Sequence, residues 1–585
     1  MKRLFYSFFI VNCTILFSNI LTGQNLTFEV PLIDQVQSSS QIVEGKVISK
    51  ASYWDTAQEH IYTANTVEVY KVFKGSPTTY VEIITPGGTV GLSAEIVTPS
   101  LDLYEGDTGM FMLQDTDVSL ERQASSRGIF AAYSSSQGFY KYDLVDNKAV
   151  NEYKVKNGIT QTFYSEIVGL TNQNFVSVKA FDIDEIVNQN TSSENNRQPI
   201  FSIVPLVTTA GTQSVITISG TAFGATQGTV SFANADNGGA TFTPALDSQV
   251  LSWSDTEIVV EVPRQAGTGR VRVTTNSGGV STSNQDITVL YAELNVVSSG
   301  VAYPTRHINQ NGNGGMTWQM QIDFDGNAAA KASFLRAFDT WVCESGVNWI
   351  NGSVTTIDAA VLDGVNIVRF DNGSELPNGV LGRNTSYWAG CNSGGLLNWF
   401  VNELDIVFND STNWQFGPAN PIVGQFDFET TAVHELGHGH QLGHVIDPAA
   451  IMHYATGGAA NRILSQNDID GANDIQFRSV NDPVCGNDPM TNSDCSLSIS
   501  DEEFNQKIVI YPLPAKDNIY IESAFDLNLK TVELIDAQGR LVSTIELSQN
   551  STLHTLNLEA INSGIYFLKI TTATNAQLVK KIVVE

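Results

Sequence analysis

From residue 25 to about residue 195, apolar and polar side chains alternate in runs such as IVEGKVISKA, ANTVEVYKVFKG and TTYVEIITPGG. Gly, Pro, Asn and Asp separate the runs. A period of two with this punctuation predicts short strands burying one face. The polar stretch SSENNRQP at 192–199 reads as a linker. Beyond it VITISG, GTVSFANADNGG, EIVVEVP and GTGRVRVTTNSGGVS return at intervals typical of a β-sandwich. Near residue 293 the period changes. In AAAKASFLRAFDTWVCESGVNW the residues Phe334, Phe338, Trp341 and Val342 recur on one helical face. Strand-like VNIVRF and LDIVFND follow, so 293–480 reads as an α+β domain. A turn-rich linker is expected at 481–507, and the strand-rich remainder, 508–585, predicts a second β-sandwich.

At 585 residues the chain exceeds one hydrophobic core and reads as multidomain. With 61 Asp plus Glu against 31 Lys plus Arg, its net charge of -30 would repel phosphates and excludes a nucleic-acid partner. Lys2 and Arg3 precede an apolar run from Leu4 to Leu21 that ends near Gly23, the pattern of a secretory signal peptide over 1–23. After its removal no segment is long and apolar enough to span a membrane, so no transmembrane segment is expected. Four cysteines then remain, Cys343, Cys391, Cys485 and Cys495. An even count in an exported chain predicts disulfides. Three pairings are open; proximity favours Cys485 with Cys495 and Cys343 with Cys391.

The densest chemistry lies in HELGHGHQLGH, 434–444, which holds half of the chain's eight histidines. On a helix, His434 and His438 share a face and offer two imidazoles to one ion. Glu435, one step on, is placed to hold a water rather than to ligate. His444 lies 280° round from His434 on a continuing helix, roughly 15 Å along its axis. It reaches the same ion only if the chain turns sharply near residue 441. Gln441 stands where glycine ordinarily makes that turn, at a cost of about 1–2 kcal/mol against a zinc-binding energy on the order of 10 kcal/mol. Either Gln441 turns, or Gly439 or Gly443 takes the turn over. A glycine at 441 is then expected to serve zinc binding at least as well. His440 falls on another face and reads as a surface or satisfied histidine. Asp323-Phe324-Asp325-Gly326-Asn327 has calcium-loop composition but lacks the later carboxylate, and reads as a simple turn.

Four resemblances emerge from these residues. His444, Pro448, Ala450 and Met452 follow at the spacing of the matrixin branch of the metzincin proteases. LSQNDIDGANDIQ, with Ser465 as N-cap, resembles the last matrixin helix, and AFDTWVCESGVNW resembles the first. The resemblance covers most of 310–478. It implies a zincin fold, one catalytic zinc held by His434, His438 and His444, Glu435 as general base and Met452 as the Met-turn. It also leaves room for structural calcium. Ile451-Met452-His453-Tyr454 is similar instead to the astacin Met-turn, which implies Tyr454 as an oxyanion stabiliser. Matrixin latency by a propeptide cysteine is excluded, because no cysteine lies between 24 and 342. Pro205, Gly220, Phe223, Gly224 and Trp253-Ser254-Asp255-Thr256 resemble an IPT/TIG module, which is Ig-like, over 199–292. Tyr511-Pro512, Asp536, Gly539-Arg540, Gly564-Ile565-Tyr566 and the closing Lys580 to Val584 resemble a type IX secretion sorting domain.

Together these imply a zinc-dependent endopeptidase acting on protein or peptide substrates. It would be exported through type IX secretion machinery and released, or held at the surface, by a Gram-negative bacterium. The segment 24–195 reads as propeptide, docking domain or spacer. A surface adhesin with a structural zinc, or an inactive homologue, stays open as an alternative.

Overall fold

The structure is a computed structural model and describes residues 27–123, 127–193, 202–373, 375–455, 460–493, 507–523, 529–547, 551–572 and 577–585. The expected signal peptide and Cys495 lie outside these residues. The chain is multidomain and mostly β, and it divides into two compact units, 1–493 and 494–585.

In the first unit, Gln41–Trp54 pairs on one side with Ile61–Lys74 and on the other with Thr108–Asp115. Tyr80–Pro86 and Gly128–Ala132 complete a closed five-stranded ring. Its interior is filled by Val43, Val47, Val67, Val69, Phe111 and Leu113. Two of these strands run for 14 residues, longer than the alternating pattern suggests. Bulges after Ile42, Glu44 and Val47 let one continuous strand bend around the ring, and each bulge interrupts the period of two. Next, two four-stranded sheets pack as a sandwich over Ile216, Ile218, Val230, Phe232, Ile258 and Val271, all buried. The Trp253 indole donates to the Gly224 carbonyl at 3.0 Å and closes one end of it.

The seven-stranded sheet that carries the site draws on more of the chain than the 293–480 expected. Its strands are β1 (Gly88–Val90), β2 (Ser93–Thr98), β3 (Met316–Met320), β4 (Trp349–Asn351), β5 (Asn366–Phe370), β6 (Gly382–Ser393) and β7 (Leu396–Phe408). They lie in the order β4-β3-β5-β7-β6-β2-β1. Pairing is parallel through β7, and β6 and β2 are antiparallel. The strand beyond β6 thus belongs to the N-terminal region, with Thr98 opposite Asn384 and Ser93 opposite Ala389.

Helices α1 (Ala328–Ser345), α2 (Phe428–Gly439) and α3 (Gln466–Asn481) complete this layer. Phe334, Phe338 and Trp341 of α1 are buried, and the Trp341 indole donates to the Val433 carbonyl of α2 at 2.7 Å. The calcium-like sequence forms a short helix, Ile322–Gly326, and Asp325 pairs with Lys331 at 2.6 Å.

Both favoured cysteine pairings are corrected. Cys391 bonds Cys485 across 94 residues, and Cys343 is disulfide-bonded as well. Proximity misled because the start of the expected linker is folded onto the sheet. Met490 is buried, Thr491 donates to the Gly314 carbonyl at 2.7 Å, and Ser493 donates to that of Gly346 at 2.8 Å.

In the second unit, a three-stranded and a four-stranded sheet enclose Ile519, Ile521, Leu534, Leu568, Ile570 and Ile582. Among the described residues no helix is long and apolar enough to cross a membrane.

Candidate metal centre

Helix α2 starts at Asp427, whose carboxylate accepts from the Thr430 amide at 2.8 Å and from Arg462. Every residue of α2 is buried. A side chain at Gly437 would collide with the Met452 sulfur, so the Met-turn packs directly under the helix. That turn is pinned by Asp468 at the start of α3. Its carboxylate accepts from the amides of Ile451 at 2.8 Å, Met452 at 3.2 Å and Ser465 at 2.8 Å, while the Ser465 hydroxyl caps the helix. The Ser465 cap was legible in the sequence, but the hold of Asp468 on the Met-turn was not.

At the end of α2 the amide of Gln441 donates to the His438 carbonyl at 2.8 Å, and that of Leu442 to Gly437 at 3.0 Å. This is a Schellman ending with Gln441 at the left-handed position, φ 73°. The glutamine itself makes the turn. Its side chain is fully buried. The amide oxygen accepts from the Trp388 indole at 2.7 Å and the Thr305 hydroxyl at 3.2 Å. The amide nitrogen donates to the Gly439 carbonyl at 3.1 Å and the Ser386 hydroxyl at 3.3 Å.

The turn brings His444 to the other two histidines. Nε2 of His434 lies 2.9 Å from that of His438 and 3.3 Å from that of His444. The remaining nitrogens fix the tautomers. Nδ1 of His434 donates to the Ile451 carbonyl at 2.7 Å, and Nδ1 of His438 donates to that of Leu442 at 2.8 Å. Nδ1 of His444 donates to Oδ1 of Asp236 at 2.8 Å. Burial holds His434 well below the usual histidine range and His438 at about 3, so both are neutral at neutral pH. With Nδ1 of His434 and His438 carrying the proton, their Nε2 lone pairs face one another, and Nε2 of His444 converges on the same spot. Such an arrangement is repulsive without a cation between them, and it fits a divalent ion that accepts nitrogen ligands.

Glu435 is fully buried beside this cluster, and no side chain hydrogen-bonds its carboxylate. Burial pushes its carboxyl well above the ordinary range, against the pull of Arg383. Strand β6 crosses over it so closely that a Cβ at Gly382 would stand 3.1 Å from Glu435 Cγ. His434, Glu435, His438, His444 and Tyr454 line one cavity of about 620 Å³. The Tyr454 hydroxyl rests against Gly238, where a Cβ would clash. His440 is in the core rather than at the surface, bonded through Nε2 to the Ser345 hydroxyl at 3.0 Å. No motif or spacing pointed to Asp236, which stands in a turn of the sandwich module 208 residues before His444.

Residues 397–476 match the family model for Matrixin, 200–291 the IPT/TIG domain, and 509–585 the secretion system C-terminal sorting domain. The last marks export by type IX secretion to the cell surface or beyond. No curated protein matches. Matches among solved structures include a crystal structure with xylogluco-oligosaccharide, at 9% identity and TM-score 0.15, covering 66% of this chain and 60% of that one. A Salmonella alpha-2-macroglobulin mutant matches at 10% identity and TM-score 0.11, covering 93% of this chain and 29% of that one. The native E. coli alpha-2-macroglobulin matches at 9% and 0.10, covering 94% and 28%.

Proposed function

We propose that the chain is an exported zinc-dependent endopeptidase. The observation that carries this reading is the geometry: three Nε2 atoms converge, each ring held from behind through Nδ1, beside a buried carboxylate that no side chain holds. His434, His438 and His444 would hold the zinc, which when bound supplies a Lewis acid and acidifies water near neutral pH. Glu435 takes the proton of the attacking water and delivers it to the leaving amine. Its place beside the three histidines, under Gly382 of β6, suits that exchange. Tyr454, on the wall of the same cavity, steadies the oxyanion.

The test uses purified chain on casein or gelatin, with and without a zinc chelator, and also after limited proteolysis. Chelator-sensitive cleavage is expected, with Glu435→Ala lowering turnover at least a hundredfold while keeping one zinc. Activity that survives Glu435→Ala removes the general base. Stoichiometric zinc without cleavage of a broad peptide library favours the adhesin or inactive reading. Tyr454→Phe is expected to slow turnover about tenfold or more, and an unchanged rate ends the oxyanion role.

A further inference from the structure

We propose that Asp236 of the sandwich module is the positioning residue for His444, so that the metal centre is built by two modules. This rests on the zinc reading above. His434 and His438 are oriented by carbonyls of the protease module itself, Ile451 and Leu442, whereas His444 is oriented by a carboxylate from outside it. A carboxylate behind a ligating histidine fixes the tautomer and raises the basicity of the other nitrogen. Asp236 is itself held in place. Its amide donates to Asn234 Oδ1 at 2.9 Å, and Oδ2 accepts from the Gln265 side chain at 2.8 Å. His444 is the ligand beyond the end of the helix, 12% exposed where the other two are buried, and so has the least packing to orient it.

The full-length chain is titrated with zinc against a competing chelator, and its cobalt(II)-loaded form is read by visible absorption. Asp236→Ala is expected to weaken zinc 10- to 100-fold and to alter the cobalt bands. Asp236→Asn, which keeps an acceptor for Nδ1, should recover part of that loss. If the alanine variant melts early, the asparagine variant alone decides, through its cobalt bands. Wild-type affinity and unchanged bands in both variants overturn the proposal and leave the zinc reading standing. A wild-type chain that binds no zinc overturns both.

A separate observation carries a second inference. Strand β6 passes over Glu435, and an extended polypeptide adding to the side of such a strand gains backbone hydrogen bonds at each second residue. The side of β6 away from β7 is taken by β2 of the same chain; Thr98 at its end, with Pro99 and Tyr104 after it, lines the histidine cavity. Asp102 pairs with Arg264 at 2.9 Å, and Tyr104 bonds Gln265, tying this segment down. We infer that residues 93–104 occlude the cleft and keep the full-length chain latent.

Ile96→Pro and Val97→Pro are made separately. Alternate residues of β2 face β6, so one of them removes an amide bonded to it. Arg264→Ala combined with Tyr104→Phe loosens the following segment and leaves the strand intact. Turnover of a short quenched peptide is expected to rise about tenfold or more, together with faster hydrogen exchange at amides 384–388. Glu435→Ala in the same background is the blank. Faster exchange with unchanged turnover, in a chain that holds zinc and cleaves peptide, overturns the occlusion alone.

Discussion

At Gln441 two opposed costs can be weighed. A non-glycine residue in the left-handed region costs about 1–2 kcal/mol. Removing the side chain forfeits four hydrogen bonds and strands the buried Trp388 indole and Thr305 hydroxyl, at about 1–3 kcal/mol for each unpaired group. The second cost, about 4 kcal/mol for the two groups, exceeds the first, so Gln441→Gly should lower stability by about 2–3 kcal/mol, read as a fall in denaturant midpoint. An unchanged midpoint would mean that water replaces the amide. The expectation that glycine at 441 binds zinc at least as tightly concerns the turn and not this stability, and a zinc titration of the same variant checks it. The residue type and the need for a turn were legible in eleven letters. The partners were not, because Trp388 lies 53 residues away and Thr305 lies 136 away. The ligand histidines could be proposed because helical spacing is local. Asp236 could not, because a contact across 208 residues leaves no period behind it.

At the scale of elements, β7 carries Glu403 and Asp405 into the interior, both fully buried. Burial raises Glu403 to about 7, against the lowering effect of the Asp363 and Gly364 amides that donate to it; Asp363 pushes it up further and His60 pulls it down. The folded chain therefore holds this proton more tightly than the unfolded chain. Its contribution to stability is complete below the ordinary carboxylate range and is lost as pH rises from about 4.5 to about 7. Glu403→Gln should remove that slope, at most about 3 kcal/mol across the window, in urea midpoints at pH 4.5, 6 and 8. Asp405, raised by burial well above its usual range, adds a slope of the same sign that the variant retains. An equally steep slope in Glu403→Gln would place the titration elsewhere. The strands and helices themselves were largely readable from periodicity. Their pairing was less so: β2 joins the sheet through β6, almost 300 residues on, and nothing in AEIVTP names that partner.

For the molecule as a whole, the Cys391–Cys485 bond encloses α2, the Met-turn and all three histidines. Closing a loop of 94 residues restricts the unfolded chain, a stabilisation of about 4–5 kcal/mol on entropic grounds. Cys391→Ser should lose most of it, visible as an earlier thermal transition of the first unit with the second unchanged. Coincident shifts of both transitions would mean that the two units unfold together. The shared sheet also bears on ancestry. A recombination event that moved only the protease-like stretch, 293–480, into another gene would transfer the three histidines. It would leave behind the carboxylate behind His444 and two strands of the sheet. A transfer that kept the metal centre whole would have to carry both the sandwich turn with Asp236 and the strands before it.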